Sequence, residues 1–255
     1  MTEVLTQTHY TKARVVEDPP EAMIRRWLNA GVSDFKDHMN TSLGYGLALF
    51  VIGWFVLLLL FRTHLSWMVL PALAGGLLIG PIATVGLYRV SRRGQGKGGG
   101  GIAAPGQIFL AGVILMVFMM AWVRAATLIF AVFYGLKPFS GFWETMTTML
   151  SSWEGLAVIL IGSLVGGLFA ALGFAISVFS IPMLVDRDID CFSAMGLSFN
   201  ATTHNFQLMV RWAAVVTALV GVGVLTGLLG LVVIFPVLGF ATWHAYCDLF
   251  QGDAS

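Results

Sequence analysis

Apolar positions along the chain follow two patterns. Nearly unbroken apolar runs fill 42–61, 67–88, 107–133, 156–184 and most of 206–250. Each reaches the roughly twenty residues at which a helix, rising about 1.5 Å per residue, crosses a hydrocarbon layer of about 30 Å. The last run breaks near Gly223, Gly227 and Gly230 into two short, tightly linked spans. Elsewhere apolar residues recur at three- and four-residue steps. Over 21–40, Ile24, Trp27, Leu28, Val32, Phe35 and Met39 oppose Arg25, Arg26, Asp34, Lys36 and Asp37. This predicts an amphipathic helix, placed on the membrane surface because a span follows directly. Phe142, Trp143, Met146 and Met149 make a second such stripe within 139–152, and 192–205 predicts a third, mildly amphipathic helix. The fold class expected is therefore all-α: a polytopic transmembrane helical bundle of about six spans in three hairpins, with amphipathic interfacial helices.

Residues 1–20 are polar, end in Pro19-Pro20 and lack apolar periodicity. They are expected to form a disordered cytoplasmic tail, leaving 21–250 as a single membrane domain. Each hairpin closes on a proline-bearing segment, at Pro81, Pro182 and Pro236. The last, 230–250, puts a proline, an imidazole, a phenol and a carboxylate into one span-length stretch, which a plain anchor does not need. Gly196 and Ser198 echo Gly31 and Ser33, suggesting a repeat of surface helix plus hairpin over 24–90 and 189–250.

Composition narrows the class further. Hydrophobic residues make up 58% and charged residues 11%, with a mean hydropathy of +0.86, so a lipid bilayer is the main partner. A net charge of +1 gives no overall basic field, and nucleic acid is excluded as a partner. The first apolar run begins near Ser42, too late for a cleaved secretory signal. Cys191 and Cys247 are the two cysteines and have no metal-type spacing, so neither a disulfide, a metal site nor a cofactor is expected. Basic residues set orientation. With a cytoplasmic N-terminus, the inner side holds Lys12, Arg14, Arg25, Arg26, Lys36, Arg89, Arg92, Arg93, Lys97, Arg187 and Arg211, against Arg62 and Lys137 outside. By the positive-inside rule the chain is multi-pass with both termini cytoplasmic.

Three groups of ionisable residues are candidates for chemistry. Arg124 falls well inside its span, at a cost of about 2.5–3.5 kcal/mol for a central arginine, and calls for a partner such as Glu144 or Glu154. Asp186, Arg187, Asp188 and Asp190 look at first like a carboxylate site, yet acids at the start of the following helix explain them more simply. His244, Tyr246 and Asp248 end the last span as a proton-relay or ligand-binding cluster, or, more simply, as interfacial anchors together with Trp243. On the six-span topology Arg187 or Arg211 reaches Asp248. No Walker loop, nucleophile elbow or zinc-protease motif occurs, so nothing marks an enzyme.

The stretch Pro236-Val-Leu-Gly-Phe-Ala-Thr-Trp-His-Ala-Tyr246, preceded by Ile181-Pro-Met-Leu-Val-Asp-Arg-Asp188, resembles a family of uncharacterised bacterial integral membrane proteins with a domain of unknown function. The resemblance covers about 24–250, and members usually carry Arg where this chain has Cys247. It implies a bacterial inner-membrane location and no established activity, with a loose link of some members to cytochrome oxidase. A haem-copper catalytic subunit needs about six histidines inside helices. Here His9, His38, His64 and His204 lie outside the spans and His244 alone lies within one, which excludes that role. The leading expectation is a non-catalytic accessory or assembly subunit of a membrane complex, such as a respiratory oxidase. The alternatives are a small-molecule or ion transporter, with a wet mid-membrane cavity lined by Arg124, Pro81, Pro182 and Pro236, and a lipid-modifying enzyme.

Overall fold

The computed structural model describes residues 13–15, 17–63, 65, 68–94, 101–135 and 142–251. The expected tail as far as Lys12, the glycine run up to Gly100 and the Lys137 turn lie outside them. Among the described residues the chain is all-α: α1 Pro20–Asp37, α2 Met39–Arg62, α3 Val69–Ala83, α4 Val85–Gly94, α5 Pro105–Tyr134, α6 Phe142–Ser151, α7 Trp153–Ser177, α8 Ser180–Asp186, α9 Cys191–His204, α10 Phe206–Leu225 and α11 Leu231–Phe250.

Among the described residues, five stretches are long and apolar enough to cross a membrane: α2, α5, α7 continued through α8, α10 and α11. The sixth apolar segment departs from the rest. Pro81 cannot donate within its helix, α3 stops after 15 residues, and the pass continues through Thr84 into α4. The six segments alternate in direction, because the same end of the molecule receives the start of α5 (Ile108, Ala111), the break after α7 (Val178, Phe179), the start of α10 (Leu208, Met209, Trp212) and the end of α11. The three hairpins expected from the sequence are therefore present.

Burial is concentrated at that end. A contiguous core of α1, α4, α8, α9 and the ends of α5, α7, α10 and α11 forms a packed base. Away from the base, apolar side chains such as Leu47, Phe55, Leu128, Leu160, Leu164 and Leu168 are exposed. Their only fitting solvent is lipid.

The structure is organised around α11. Half of its apolar window is buried, against 6–22% for the other four spans. Pro236 lacks the N–H that would bond to the Val232 carbonyl one turn earlier. That oxygen faces α2, where a Cβ on Gly46 would stand 2.0 Å from it. Only glycine admits so close an approach. A Cβ on Gly31 would likewise meet the Val237 carbonyl at 2.6 Å, so α1 also lies directly against the α11 backbone. Met23, Ile24, Trp27 and Gly31 of α1 are buried against α11 and its neighbours, while Val32 and Met39 of the same stripe are exposed. A single residue, His38, separates α1 from α2. The pair tracks α11 from Trp27, which meets Asp248, to Trp54, whose indole N–H donates to the Gly227 carbonyl at 3.0 Å.

The suggested repeat does not extend to packing. Gly31 is pressed against α11, whereas a Cβ on Gly196 would meet nothing within 4 Å. Ser198 does a different job: its hydroxyl accepts from Phe179 N–H at 3.1 Å and donates to the Ala175 carbonyl at 2.7 Å, satisfying backbone groups freed where α7 breaks into α8. Before α1, Arg14 N–H donates to the Leu249 carbonyl at 2.9 Å and the Arg14 carbonyl accepts from Asn205 at 3.1 Å.

Candidate functional site

The base carries a layer of polar groups joining α1, α4, α8 and α11. Its first node is Asp34 of α1. His244 Nε2 of α11 lies 3.1 Å from Asp34 Oδ2, and the buried Ser91 hydroxyl of α4 donates to the same oxygen. Burial pushes the Asp34 carboxyl up, but the hydrogen bonds from His244 and Ser91 and the nearby His244 and His38 rings outweigh it. The net effect holds Asp34 below the usual carboxylate range. Ser, His and Asp meet here, but in the wrong order for nucleophilic catalysis. The serine proton is committed to the carboxylate, not to the imidazole that would have to accept it.

The second node is Asp186 at the end of α8. Its Oδ2 accepts from Tyr246 Oη at 2.9 Å and from Gln251 Nε2 at 2.8 Å. Arg92 Nε stands 3.3 Å from Oδ1, close enough to pair though not aligned for a hydrogen bond, and Arg187 Nε is 3.7 Å from Oδ2. Arg92 also donates to the carbonyls of Val185, Asp186 and Gly101, capping the C-terminus of α8 with positive charge. Arg187 donates to the Phe250 carbonyl at 2.9 Å and sits 6.0 Å from the Tyr246 ring centre, so it serves the end of α11 in the same way.

The third node corrects the expected partner of Asp248. Its carboxylate is bound by Arg26 Nη2 at 2.8 Å and Trp27 Nε1 at 2.6 Å; Arg187 is occupied by Asp186 and Phe250, and Arg211 pairs with Glu21 at 2.8 Å. The reason is the close seating of α1 on α11, which brings Arg26 and Trp27 nearer than either expected arginine. Interfacial anchoring by Trp243 and Tyr246 is also overturned. Both are fully buried, within a run of ring contacts from Tyr88 through Trp243, Tyr246 and Phe250 to Phe179.

The remaining candidates are not brought together. Arg124 lies exposed on α5, and among the described residues it forms no ion pair. Glu154 is exposed in the first turn of α7, while Arg124 stands ten residues, about 15 Å of helix, short of the end of α5. The Glu144 side chain lies outside the described residues. Pro182 is sealed in the base and Pro236 is buried within α11. Asp190 N-caps α9 by accepting from Ser193 N–H at 2.9 Å, which holds its carboxyl below the ordinary range. Among the described residues no group of His, Cys, Asp and Glu is placed to hold a metal.

Asp34, Ser91, Arg92, Arg26 and Gln251 escaped the sequence reading. Arg26 and Asp34 read as the solvated face of an amphipathic helix. Their one signal was a polar face too rich in paired charge for a helix followed at once by a span.

Residues 69–186 match the family described as predicted integral membrane protein (DUF2189). This is the uncharacterised membrane-protein family that the sequence resembles. The matched stretch runs from α3 to the end of α8, so it includes Ser91, Arg92 and Asp186, while the Pro236–Tyr246 ending falls outside it. The comparisons with curated proteins and with solved structures found no match.

Proposed function

We propose that the protein is a non-catalytic accessory or assembly subunit of a membrane complex, with a respiratory oxidase as the complex that the family resemblance points to. One observation carries this reading: the half-buried carboxylates of the base, Asp34, Asp186 and Asp248, each bind donors from other helices. They serve as fasteners between helices, each carboxylate being engaged by its donors. The outward faces of α2, α5 and α7 offer long apolar surfaces, on which lipid or helices of other subunits can pack. We assign the chain to a bacterial inner membrane, with 21–250 as one membrane domain and the base on the cytoplasmic side, because Arg14, Arg25, Arg26, Lys36, Arg89, Arg92, Arg93, Arg187 and Arg211 belong to the base elements.

The test is purification from native membranes in a mild detergent, followed by mass spectrometry of what stays bound. Stoichiometric co-purification of integral membrane subunits is expected. A monomer or homodimer that retains no other subunit under several mild detergents overturns the proposal.

A further inference from the structure

Where α1 passes α10, the flank of the base holds a groove that the polar network does not use. Its rim is Glu21, Arg25 and Asn29 of α1 with Arg211 of α10, over Leu28 and Val215. The three α1 residues recur at four-residue steps and so share one face. Arg211 is bound to Glu21 at 2.8 Å, but the two side chains are 51% and 84% exposed, so this pair is weak and open to exchange. Arg25 is exposed and takes no part in the ion pairs of the base. Two guanidinium groups against one carboxylate leave the rim with one surplus positive charge. That is the complement of a single phosphodiester.

Depth and shape then choose the ligand. Arg211 lies five residues, about 8 Å of helix, into α10 from the base, the depth of the headgroup region for a span whose basic end is at the membrane surface. From the groove, the exposed residues Ala214, Ala218 and Val222 continue along α10 at four-residue steps toward the far end. A free phosphate ion gains nothing from that track, whereas an acyl chain covers it. We propose that this groove is a binding site for an anionic phospholipid, its phosphodiester held between Arg25 and Arg211 and one acyl chain lying along Ala214, Ala218 and Val222.

The experiment is native mass spectrometry of the full-length protein released from detergent micelles, titrated separately with phosphatidylglycerol, phosphatidylethanolamine and inorganic phosphate. Phosphatidylglycerol adducts should dominate. Arg25→Gln and Arg211→Gln should each weaken them by about fivefold, the effect of one basic residue near an anionic surface, and Glu21→Gln should not weaken them. Equal retention of phosphatidylethanolamine overturns the anionic preference. Displacement of phosphatidylglycerol by an equal concentration of inorganic phosphate overturns the lipid assignment in favour of an anion site. Undiminished binding by Arg25→Gln, an exposed position whose change leaves the helix contacts intact, overturns the site itself.

Discussion

At Asp34, opposing local effects settle the sign of a pH dependence. Burial alone would favour the neutral acid, but donors on two other helices, His244 of α11 and Ser91 of α4, stabilise the carboxylate more. The folded-state pKa therefore lies below the ordinary value of 3.8, and the group stabilises the fold fully above that value, losing the contribution as pH falls through the lower folded pKa. Asp34→Asn should accordingly cost about 1–3 kcal/mol at neutral pH, the scale of hydrogen bonds to a charged group. Thermal unfolding in micelles on the acid side should show the wild-type advantage shrinking as pH falls below about 4. An advantage that grew on acidification would mean that Asp34 is held neutral in the fold. Asp248 allows a sharper partition. Arg26 is 57% exposed where it meets the carboxylate, so the double-mutant cycle of Arg26→Ala with Asp248→Ala should give a coupling under about 1 kcal/mol. Trp27 is fully buried and donates to the same oxygen at 2.6 Å. The cycle of Trp27→Phe with Asp248→Ala should couple by about 1.5–3 kcal/mol. Equal couplings would show that charge, rather than the buried indole hydrogen bond, joins α1 to α11 here.

Among elements, contacts to α11 depend on backbone approach more than on side-chain interlock. The freed Val232 carbonyl and the missing side chain at Gly46 are two halves of one feature, and neither explains the other's sequence alone. Gly46→Ala should push α2 off α11 and cost about 1–3 kcal/mol or more by overpacking against backbone that cannot swing away. Gly44→Ala, at an open position of the same helix, should change stability by less than about 0.5 kcal/mol. Thermal-shift measurement of the two variants side by side checks this, and a Gly46→Ala variant as stable as Gly44→Ala would mean that the α2–α11 approach tolerates a side chain. Elements of this kind were legible in the sequence because span length and the three- to four-residue periodicity are properties of one segment. The partners were not. Asp186, His244, Tyr246 and Asp248 could be singled out as ionisable groups near the ends of apolar runs, but Asp34, Ser91, Arg92 and Arg26 meet them only through helix pairing, which periodicity does not specify. Trp243 and Tyr246 read as membrane-surface anchors for the same reason: burial among α4, α8 and α11 is a property of the assembled base.

For the whole molecule, the packed base and the lipid-facing spans impose a topology that can be measured directly. Arg14 bonds to Leu249 at the base, while Gly227 and Leu228, both at positive φ, form the turn between α10 and α11 at the opposite end. About 30 Å of helix separates the two levels, since α11 has 20 residues. The basic residues of α1, α4, α10 and the link after α8 belong to the base, and anchoring them on the cytoplasmic side requires the 226–230 turn to emerge on the other. Single cysteines at Gln251 and at Leu229, the latter 62% exposed in that turn, provide the test in a background carrying Cys191→Ser and Cys247→Ser. Cys191 is buried with its thiol pushed up by burial and by the neighbouring Asp190 charge, so it reacts poorly and can also be left in place if its replacement disturbs the base. A membrane-impermeant maleimide applied to intact cells stripped of their outer membrane should label the Leu229→Cys variant and spare the Gln251→Cys variant. Inverted vesicles should give the opposite result. Labelling of both positions from one side would mean that α11 does not cross, and the six-pass topology would fail at its most buried helix; the reverse sidedness would keep the fold and place the base, with its fasteners and its arginine-rimmed groove, outside the cytoplasm.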